Sequence, residues 1–403
     1  MRVLVADEFS KRQLDAMRGL GLTVDFRPQL TVDTLAEAAQ GASILVVRST
    51  EVKKDVFDRG AALSLVIRAG AGVNTIDVQA ASDRGVFVAN CPGQNALAVA
   101  ELTLGLILAV DRKLPDNVAE LRRGLWDKKR FSRARGLYGR TLGLAGLGAI
   151  GRAVAERAQG FGMRVVGYSR SLDASKAKAI GIERAPDLLS LARECQVLSI
   201  HLPACNETRH VVSRAVLAAL PDGATFINTS RADVVDGAAL LDEAKRGRLF
   251  VATDVFEDEP KGGQGTFQSE LAQLPNVYGT HHIGASTEQA QEAIAEETVH
   301  IIATFLHRGV VLSCVNIARK TAARFQLIVR HHDRVGVLAR VLEDVRKAGI
   351  NAQEVENTVF QGGAAACCKI ALVSPPPADV LEGIRAFEDV IFVDLVELKE
   401  RTP

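Results

Sequence analysis

A glycine-rich turn between two apolar runs, near the middle of the 403-residue chain, constrains the fold more than any other feature. Residues 142–145 predict a buried strand, and Gly146, Gly148 and Gly151 follow them in a G-x-G-x-x-G pattern. Apolar residues at helical spacing come next, and residues 163–168 predict a second buried strand. Strand, glycine turn, helix and strand in this order predict a dinucleotide-binding βαβ unit, with an ordinary βαβ unit as the alternative.

The start of the predicted helix supplies the phosphate site. Free N–H groups around Ala149 and Ile150 would meet the pyrophosphate of a bound dinucleotide. The tip of the second strand, where an Asp or Glu holds a free ribose 2′-hydroxyl, carries Ser169 and Arg170 instead. A hydroxyl and a guanidinium suit a 2′-phosphate. The sequence therefore favours NADP and leaves NAD open, with Asp173 or the backbone as the alternative ribose contact.

The composition argues against several partners and compartments. The 49 Lys and Arg residues nearly balance the 48 Asp and Glu residues, so neither nucleic acid nor an anionic membrane is expected as a partner. The chain opens with a predicted strand, and its most apolar helix, residues 96–110, is too short to span a bilayer. The six cysteines lack metal-ligand spacing, which predicts buried free thiols, no bound metal and a cytoplasmic location.

Strand and helix patterns alternate through residues 1–90 and indicate a small parallel sheet with helices on both faces. Two of the predicted strands end in arginine, Arg48 and Arg68, and a glycine-rich loop with Gly72 and Val73 follows the second. Backbone N–H groups in such a loop can hold an anion. Either arginine alone is as easily a solvated surface charge, but the two together favour an anionic substrate.

The alternation continues after the glycine turn and places polar residues at strand ends. Arg231 (after Thr229), Asp254, Glu259 and His282 each lie at or just beyond the carboxyl end of a predicted strand. In an open parallel sheet those ends share one edge, where ligands bind. A histidine with a carboxylate partner can exchange a proton, and an arginine can orient a planar carboxylate. The set predicts hydride transfer between a 2-hydroxy acid and a 2-oxo acid, whereas a lone histidine at a strand end is more often structural.

Four segments resemble the D-isomer-specific 2-hydroxyacid dehydrogenase family in order and spacing, and the resemblance covers residues 1–318. They are GLGAIGRAVA, INTSRADVVDGAALLDEA, ATDVFEDEP and HHIGAST. The resemblance implies that Arg231 orients the substrate, with Glu259 as the partner carboxylate and His282 as the acid/base. His281 stands where the family usually has proline.

The same resemblance implies further contacts. Asp254 would hold the nicotinamide carboxamide, and Arg48, Arg68 and Asn95 would line the substrate site. Residues 68–105 and the stretch LWDKKRF are similar to family members that act on 3-phospho-D-glycerate. The expected reaction is its NAD(P)-dependent oxidation to 3-phosphohydroxypyruvate, the first step of L-serine biosynthesis.

Two other functions stay open. One is a hydroxypyruvate or glyoxylate reductase of the same family, and the other is a non-catalytic dinucleotide-sensing co-repressor or scaffold. Lys128 is a candidate phosphate contact, although residues 122–130 are interpreted equally well as a solvated basic loop anchored by Trp126, the only tryptophan.

The C-terminal residues predict a separate module. A polar linker at 316–324 precedes a strand and helix order of βαββαβ, which is a ferredoxin-like unit. Residues 331–355 resemble the ACT regulatory module, which binds small ligands such as amino acids at subunit interfaces. That resemblance makes His331, Asp333 and Asn351 the candidate effector contacts. The alternative is a dimerisation module without a ligand.

The sequence therefore predicts an α/β protein with two doubly wound parallel sheets and a C-terminal βαββαβ domain. The substrate-binding domain would be residues 1–95 and 284–318, the dinucleotide-binding (Rossmann) domain 96–283 and the ACT domain 325–403. The expected partners are a small anionic substrate, an amino-acid effector and further copies of the chain in a homodimer or homotetramer.

Overall fold

The computed structural model describes residues 1–260, 264–318 and 321–398. Its backbone contacts divide the chain into two compact units, Met1–Asn316 and Ile317–Pro403. Residues 261–263 and part of the predicted linker at 316–324 lie outside the described residues.

The first sheet is parallel throughout, in the order β2-β1-β3-β4-β5. Its strands are β1 (Arg2–Val5), β2 (Thr23–Phe26), β3 (Ile44–Val47), β4 (Leu65–Arg68) and β5 (Phe87–Asn90). Its helices are α1 (Lys11–Gly19), α2 (Val32–Ala38), α3 (Lys54–Arg59) and α4 (Val78–Asp83). The run ILVV of β3 is fully buried, as a parallel strand covered on both faces requires. The sequence does not predict β2, because this edge strand is only partly buried and lacks a continuous apolar run.

Three helices lead from the first sheet to the second: α5 (Ala96–Arg112), α6 (Leu114–Arg122) and α7 (Lys128–Phe131). Residues 123–127 form a solvent-exposed loop between α6 and α7, as predicted, but the prediction that Trp126 anchors this loop is wrong, because Trp126 is 81% exposed. No residue of α6 is buried within the described chain. Helical spacing is hard to recognise in these segments because they present no apolar stripe to the core.

The second sheet is also parallel, in the order β12-β11-β10-β9-β6-β7-β8. Its strands are β6 (Thr141–Ala145), β7 (Arg164–Tyr168), β8 (Glu183–Arg184), β9 (Val197–Ile200), β10 (Thr225–Asn228), β11 (Phe250–Thr253) and β12 (Val277–Gly279). Its helices are α8 (Ala149–Gly160), α9 (Ala174–Ala179), α10 (Leu188–Glu194), α11 (Arg214–Ala219) and α12 (Gly237–Lys245). Helix α5 covers one face of this sheet, where Leu104 and Ile107 share a core with Leu142 and Leu144.

A long helix, α13 (Glu288–Arg308), returns from the second sheet to the first. Its Ile294, Ile301 and Ile302 belong to the core that contains Val3 and Ile44. The loop between β12 and α13 therefore starts at the edge of one sheet and ends against the other. That loop carries His282.

The second unit contains a four-stranded antiparallel sheet in the order β14-β15-β13-β16. Its elements are β13 (Phe325–His332), α14 (Val337–Lys347), β14 (Ala352–Val359), β15 (Ala365–Leu372), α15 (Ala378–Arg385) and β16 (Val390–Glu397). The predicted βαββαβ order is confirmed, and so is the α/β class with two parallel sheets. No helix in the described parts of the chain has the length and hydropathy that a membrane span requires.

The exposure of Trp126 gives a stability prediction. Trp126→Ala should change the free energy of unfolding by no more than about 0.5 kcal/mol, because little of the indole is removed from water. The matched control is Ile107→Ala, at a position that is 1% exposed, which should cost about 2–5 kcal/mol. Denaturant titration measures both. A loss above about 1 kcal/mol for Trp126→Ala would mean that another contact buries the indole.

Candidate active site

The three glycines of the turn meet different surroundings. Gly146 has a φ of 99°, and a Cβ there would collide with the carbonyl oxygen of His201. A Cβ on Gly151 would collide with the carbonyl oxygen of Gly146, so α8 can lie close to the strand only without it. At Gly148, the residue that precedes α8, a Cβ would meet nothing within 4 Å. The fold itself requires two of the glycines, and the third leaves open space at a helix N-terminus, which fits a pyrophosphate.

The end of β7 presents a hydroxyl and a guanidinium. Ser169 is half-buried and Arg170 is exposed. Asp173, the alternative ribose contact, accepts a hydrogen bond from the Lys176 N–H at 2.8 Å and so caps α9. That bond and the ion pair with the Lys176 ammonium hold the pKa of Asp173 below its usual range. Its carboxylate is therefore committed to the helix that follows.

A histidine and a glutamate form the central pair of the site. His282 Nδ1 lies 2.7 Å from Glu259 Oε2, while Glu259 Oε1 accepts a hydrogen bond from the Phe256 N–H at 2.8 Å. Partial burial alone would raise the pKa of Glu259. The hydrogen bonds from His282 and Phe256 and the nearby charge of Arg231 outweigh it and hold the pKa below its usual value. Because Nδ1 faces the carboxylate, Nε2 is the nitrogen that faces away from it.

Asp254 holds the loop that carries His282. It is 2% exposed, and its Oδ1 accepts hydrogen bonds from Thr280 Oγ1 at 2.6 Å and from the Ile283 N–H at 2.9 Å. Its Oδ2 accepts from the Gly284 N–H at 2.8 Å. His282 has a φ of 53°, a left-handed conformation that costs a non-glycine residue energy. The hydrogen bonds to Asp254 on both sides of His282 stabilise it.

Arg231 reaches from the second sheet towards the first. Asn228 fixes its loop by donating to the Arg231 carbonyl at 2.9 Å and accepting from the Ser230 N–H and hydroxyl. Arg231 Nη2 would lie 3.2 Å from a Cβ built on Gly72, in the loop after β4. Thr229 is buried, and its hydroxyl is bonded to that of Thr103 at 3.0 Å.

Arg48 and Arg68 lie beside this loop of the first sheet. Arg68 donates to the carbonyl oxygens of Arg48 at 3.1 Å and Gly72 at 3.3 Å, and Arg48 donates to Gln291 Oε1 at 2.7 Å. Burial lowers the pKa of Arg68, and the charges of Arg231 and Arg48 lower it further. The structure therefore brings Arg48 and Arg68 of the first sheet close to Arg231 of the second.

Two residues that the sequence reasoning missed support the cleft. Asp7, just beyond β1, accepts hydrogen bonds from the N–H groups of Arg48, Ser49 and Thr50. Its position after an apolar strand is the signal that could have identified it. Gln291 lies in the first turns of α13, far away in sequence, and carries no such signal.

Some predicted residues lie elsewhere. Lys128 belongs to α7. Its neighbours Arg130 and Phe131 lie at the amino-terminal ends of the second sheet. Within a single chain, Lys128 is therefore not part of the arginine cluster. Val73 packs against the core of the first sheet, and Asn95 precedes α5.

The predicted effector contacts of the second unit differ in how exposed they are. His331 is 1% exposed, with Nδ1 on the His332 carbonyl at 2.7 Å and Nε2 on Asn357 Oδ1 at 3.3 Å. Asp333 and Asn351 are exposed. Because both ring nitrogens of His331 are engaged, a ligand would have to displace one of these partners.

His201 is a buried histidine that the sequence reasoning did not select. It follows β9, its Nε2 lies 2.9 Å from Ser199 Oγ, and its Nδ1 is buried without a hydrogen-bond partner. Burial lowers the pKa of His201 to about 4, which keeps the imidazole neutral beside the glycine turn. A neutral side chain adds no charge at the place where a dinucleotide would approach.

Comparisons with known proteins agree with this geometry. A family model described as the D-isomer specific 2-hydroxyacid dehydrogenase NAD binding domain matches residues 104–284. The chain is 38% identical over 317 residues to D-3-phosphoglycerate dehydrogenase of Methanocaldococcus jannaschii, covering 77% of this chain and 59% of that protein. It therefore spans less than two thirds of that relative's length.

Two further relatives are covered almost completely. Hydroxypyruvate reductase of Thermotoga maritima is 39% identical over 275 residues, which are 68% of this chain and 88% of that protein. The crystal structure of the TT0316 protein from Thermus thermophilus superposes with a TM-score of 0.70 at 34% identity. That match covers 78% of this chain and 100% of the other.

The glycine geometry predicts that two single substitutions separate folding from dinucleotide binding. Gly146→Ala should lower the free energy of unfolding by about 1–3 kcal/mol, because of its positive φ and the collision with His201. Gly148→Ala should leave stability nearly unchanged but weaken NAD(P)H binding, since the methyl group would occupy the open space. Denaturant titration and NAD(P)H titration measure the two effects. Wild-type binding by Gly148→Ala would place the phosphates elsewhere.

His201 predicts an acid-sensitive stability. Below pH 6.5 the unfolded chain binds a proton at His201 that the folded protein excludes until about pH 4. The free energy of unfolding should therefore fall as the pH drops through this window, by up to about 1.4 kcal/mol per pH unit from this residue. His201→Gln should flatten the slope, and His307→Gln, at an exposed position, is the matched control. Equal slopes in all three proteins would contradict the burial argument.

Proposed function

Because the chain belongs to the D-isomer-specific 2-hydroxyacid dehydrogenase family, we propose that it oxidises 3-phospho-D-glycerate at C2 with NAD(P) and catalyses the reverse reduction of 3-phosphohydroxypyruvate. The observation that carries the choice of substrate is the cluster of Arg48 and Arg68 of the first sheet with Arg231 of the second, where the ends of the two sheets meet. This reaction would place the protein at the first step of L-serine biosynthesis.

The charge of the cluster exceeds what a simple 2-hydroxy acid needs. One guanidinium can hold a planar carboxylate with two parallel hydrogen bonds. Arg231 is suited to that role, because it lies near Glu259, the partner of His282. Arg48 and Arg68 then leave two positive charges for a second anionic group, and a phosphate at C3 would supply it.

The proton and the substrate are handled by side chains of this chain. His282 Nε2 accepts the C2 hydroxyl proton in oxidation and returns it to the carbonyl oxygen in reduction. Glu259, ionised because its pKa is lowered, holds Nδ1 and stabilises the imidazolium that forms. Arg231 orients the carboxylate so that C2 faces the cofactor. A dinucleotide held by its pyrophosphate at the glycine turn would supply the hydride acceptor for oxidation and the hydride donor for reduction.

The proposed cofactor is NADP. Ser169 and Arg170 supply a hydroxyl and a cation at the ribose position, and the carboxylate of Asp173 is used as a helix cap. A 2′-phosphate would be attracted to Arg170, whereas a free 2′-hydroxyl would lack a carboxylate partner there.

A hydroxypyruvate or glyoxylate reductase is the second candidate. Arg48 and Arg68 already donate to an amide oxygen and to carbonyl oxygens of the protein, which partly satisfies both without a phosphate. The similarity to the Thermotoga maritima hydroxypyruvate reductase points in the same direction. Only the acceptor's second anionic group distinguishes the two candidates.

Initial rates of NADPH and NADH oxidation should distinguish them. The acceptors would be 3-phosphohydroxypyruvate, hydroxypyruvate, glyoxylate and 2-oxoglutarate. We expect the highest kcat/KM with the phosphorylated acceptor and NADPH. Arg48→Ala should lower that kcat/KM by about 10- to 100-fold, the loss of one charged hydrogen-bond pair, while leaving glyoxylate reduction nearly unchanged. His282→Ala should lower kcat about 10²- to 10⁴-fold with every acceptor.

Other outcomes would select other functions. If Arg48→Ala lowers kcat/KM equally for glyoxylate and 3-phosphohydroxypyruvate, Arg48 does not bind the phosphate, and the reductase is favoured. Preference for NADH, unaffected by Arg170→Ala, would assign NAD as the cofactor. Tight dinucleotide binding without turnover of any acceptor would favour a sensor.

A further inference from the structure

A second basic cavity lies at the opposite end of the second sheet from His282. It has a volume of about 240 Å³ and is formed where Arg140 leads into β6, where Thr225 begins β10 and where Phe250 begins β11. The last turn of α5, at Val110, closes one side. These are the amino-terminal ends of parallel strands whose carboxyl ends form the cleft. A five-residue strand such as β6 separates the two edges by on the order of 15 Å.

The lining of this cavity is strongly cationic. Its basic residues are Arg112, Lys113, Arg130, Arg133, Arg135 and Arg140. The one carboxylate among the lining residues, Asp111, is 3.0 Å from Arg140 Nη1 and also accepts the Gly136 N–H. Arg130 is paired with Glu120. Within the described chain the other four cations form no ion pair, so the cavity carries a surplus of positive charge.

Arg140 is partly buried in the lining, and Asp111 compensates its charge only in part. Arg140 Nε is buried without a hydrogen-bond partner. Burial lowers the pKa of Arg140, Asp111 opposes that effect, and the charge of Arg135 adds to it. Asp111 supplies a single negative charge to this group of cations, so a further anion in the cavity would be attracted to them.

Helix ends explain only part of this charge. Arg112 and Lys113 lie at the carboxyl end of α5, where cations offset the partial negative charge of the helix. Arg133 and Arg135 lie between α7 and β6, outside any helix, and Arg135 touches the protein only through the Gly223 carbonyl at 3.3 Å among its described hydrogen bonds. These two arginines have no structural role that accounts for their position.

We propose that this cavity binds a small polyvalent oxyanion: inorganic phosphate, pyrophosphate or a short phosphate ester. Guanidinium groups favour such anions because their planar N–H donors match two oxygens at once. The volume is below the roughly 300–1,000 Å³ of sites for larger organic ligands, which excludes a whole dinucleotide. Phe131 and Phe250 form the apolar part of the wall.

Titration calorimetry with inorganic pyrophosphate, at constant ionic strength set with NaCl, tests the proposal on the full chain. The double variant Arg133→Ala/Arg135→Ala should raise the Kd at least about tenfold, because each alanine removes a charged donor pair. The matched control Arg122→Ala/Arg123→Ala removes two exposed arginines that do not line the cavity, and it should bind as the wild type does. Arg133→Lys/Arg135→Lys, which keeps the charge but loses the planar donors, should fall between them.

The cleft needs a separate control because it also carries arginines. Arg231→Ala should leave unchanged the pyrophosphate-binding step that Arg133→Ala/Arg135→Ala weakens, while any binding in the cleft or at the glycine turn should persist in Arg133→Ala/Arg135→Ala. The proposal is overturned if the wild type does not bind, if the cavity variant binds as tightly as the wild type, or if Arg231→Ala abolishes binding. Its outcome is independent of the acceptor assay, since neither Arg133 nor Arg135 lies in the cleft.

Discussion

The candidate active site depends on the hydrogen bonds that the buried carboxylate of Asp254 accepts. It lies beyond the end of β11 and binds the loop after β12 through three hydrogen bonds. Those bonds hold His282 in a left-handed conformation and at 2.7 Å from Glu259. The resemblance assigns Asp254 to the nicotinamide carboxamide, while the structure uses both of its oxygens to position the acid/base. Asp254 can serve both purposes only if it accepts a hydrogen bond from the cofactor amide in addition to the three it already accepts. Its role in the structure is to hold the loop that carries His282.

Much of the fold follows from the sequence because parallel strands covered on both faces are continuous apolar runs. β3, β6 and β10 are buried along their whole length, and the chemistry-bearing residues stand directly after them. Since the parallel strands of one sheet end at a common edge, Arg231 and His282 could be placed together without coordinates, and Arg68 could be placed at the corresponding edge of the first sheet. The edge strand β2 and the exposed helices α6 and α7 are among the elements that escaped prediction, because they lack an apolar pattern.

The remaining parts of the site depend on contacts between residues far apart in sequence. Gln291 meets Arg48 only because α13 folds back onto the first sheet. Arg112 and Gly223 line the same basic cavity because the amino-terminal ends of neighbouring strands lie side by side. The polar loop residues around them carry no sequence pattern that predicts this. For His331, the sequence motif suggested a ligand contact, whereas in the structure the packing of β13 buries the side chain.

Helix α5 extends from Asn95 near the cleft to Lys113 at the basic cavity, a length of about 25 Å for its 17 residues. Lys113 has a φ of 49° and links the end of α5 to the start of α6. Because α5 is one unbroken helix whose Leu104 and Ile107 are buried in the core of the second sheet, it fixes the separation between the cleft and the basic cavity.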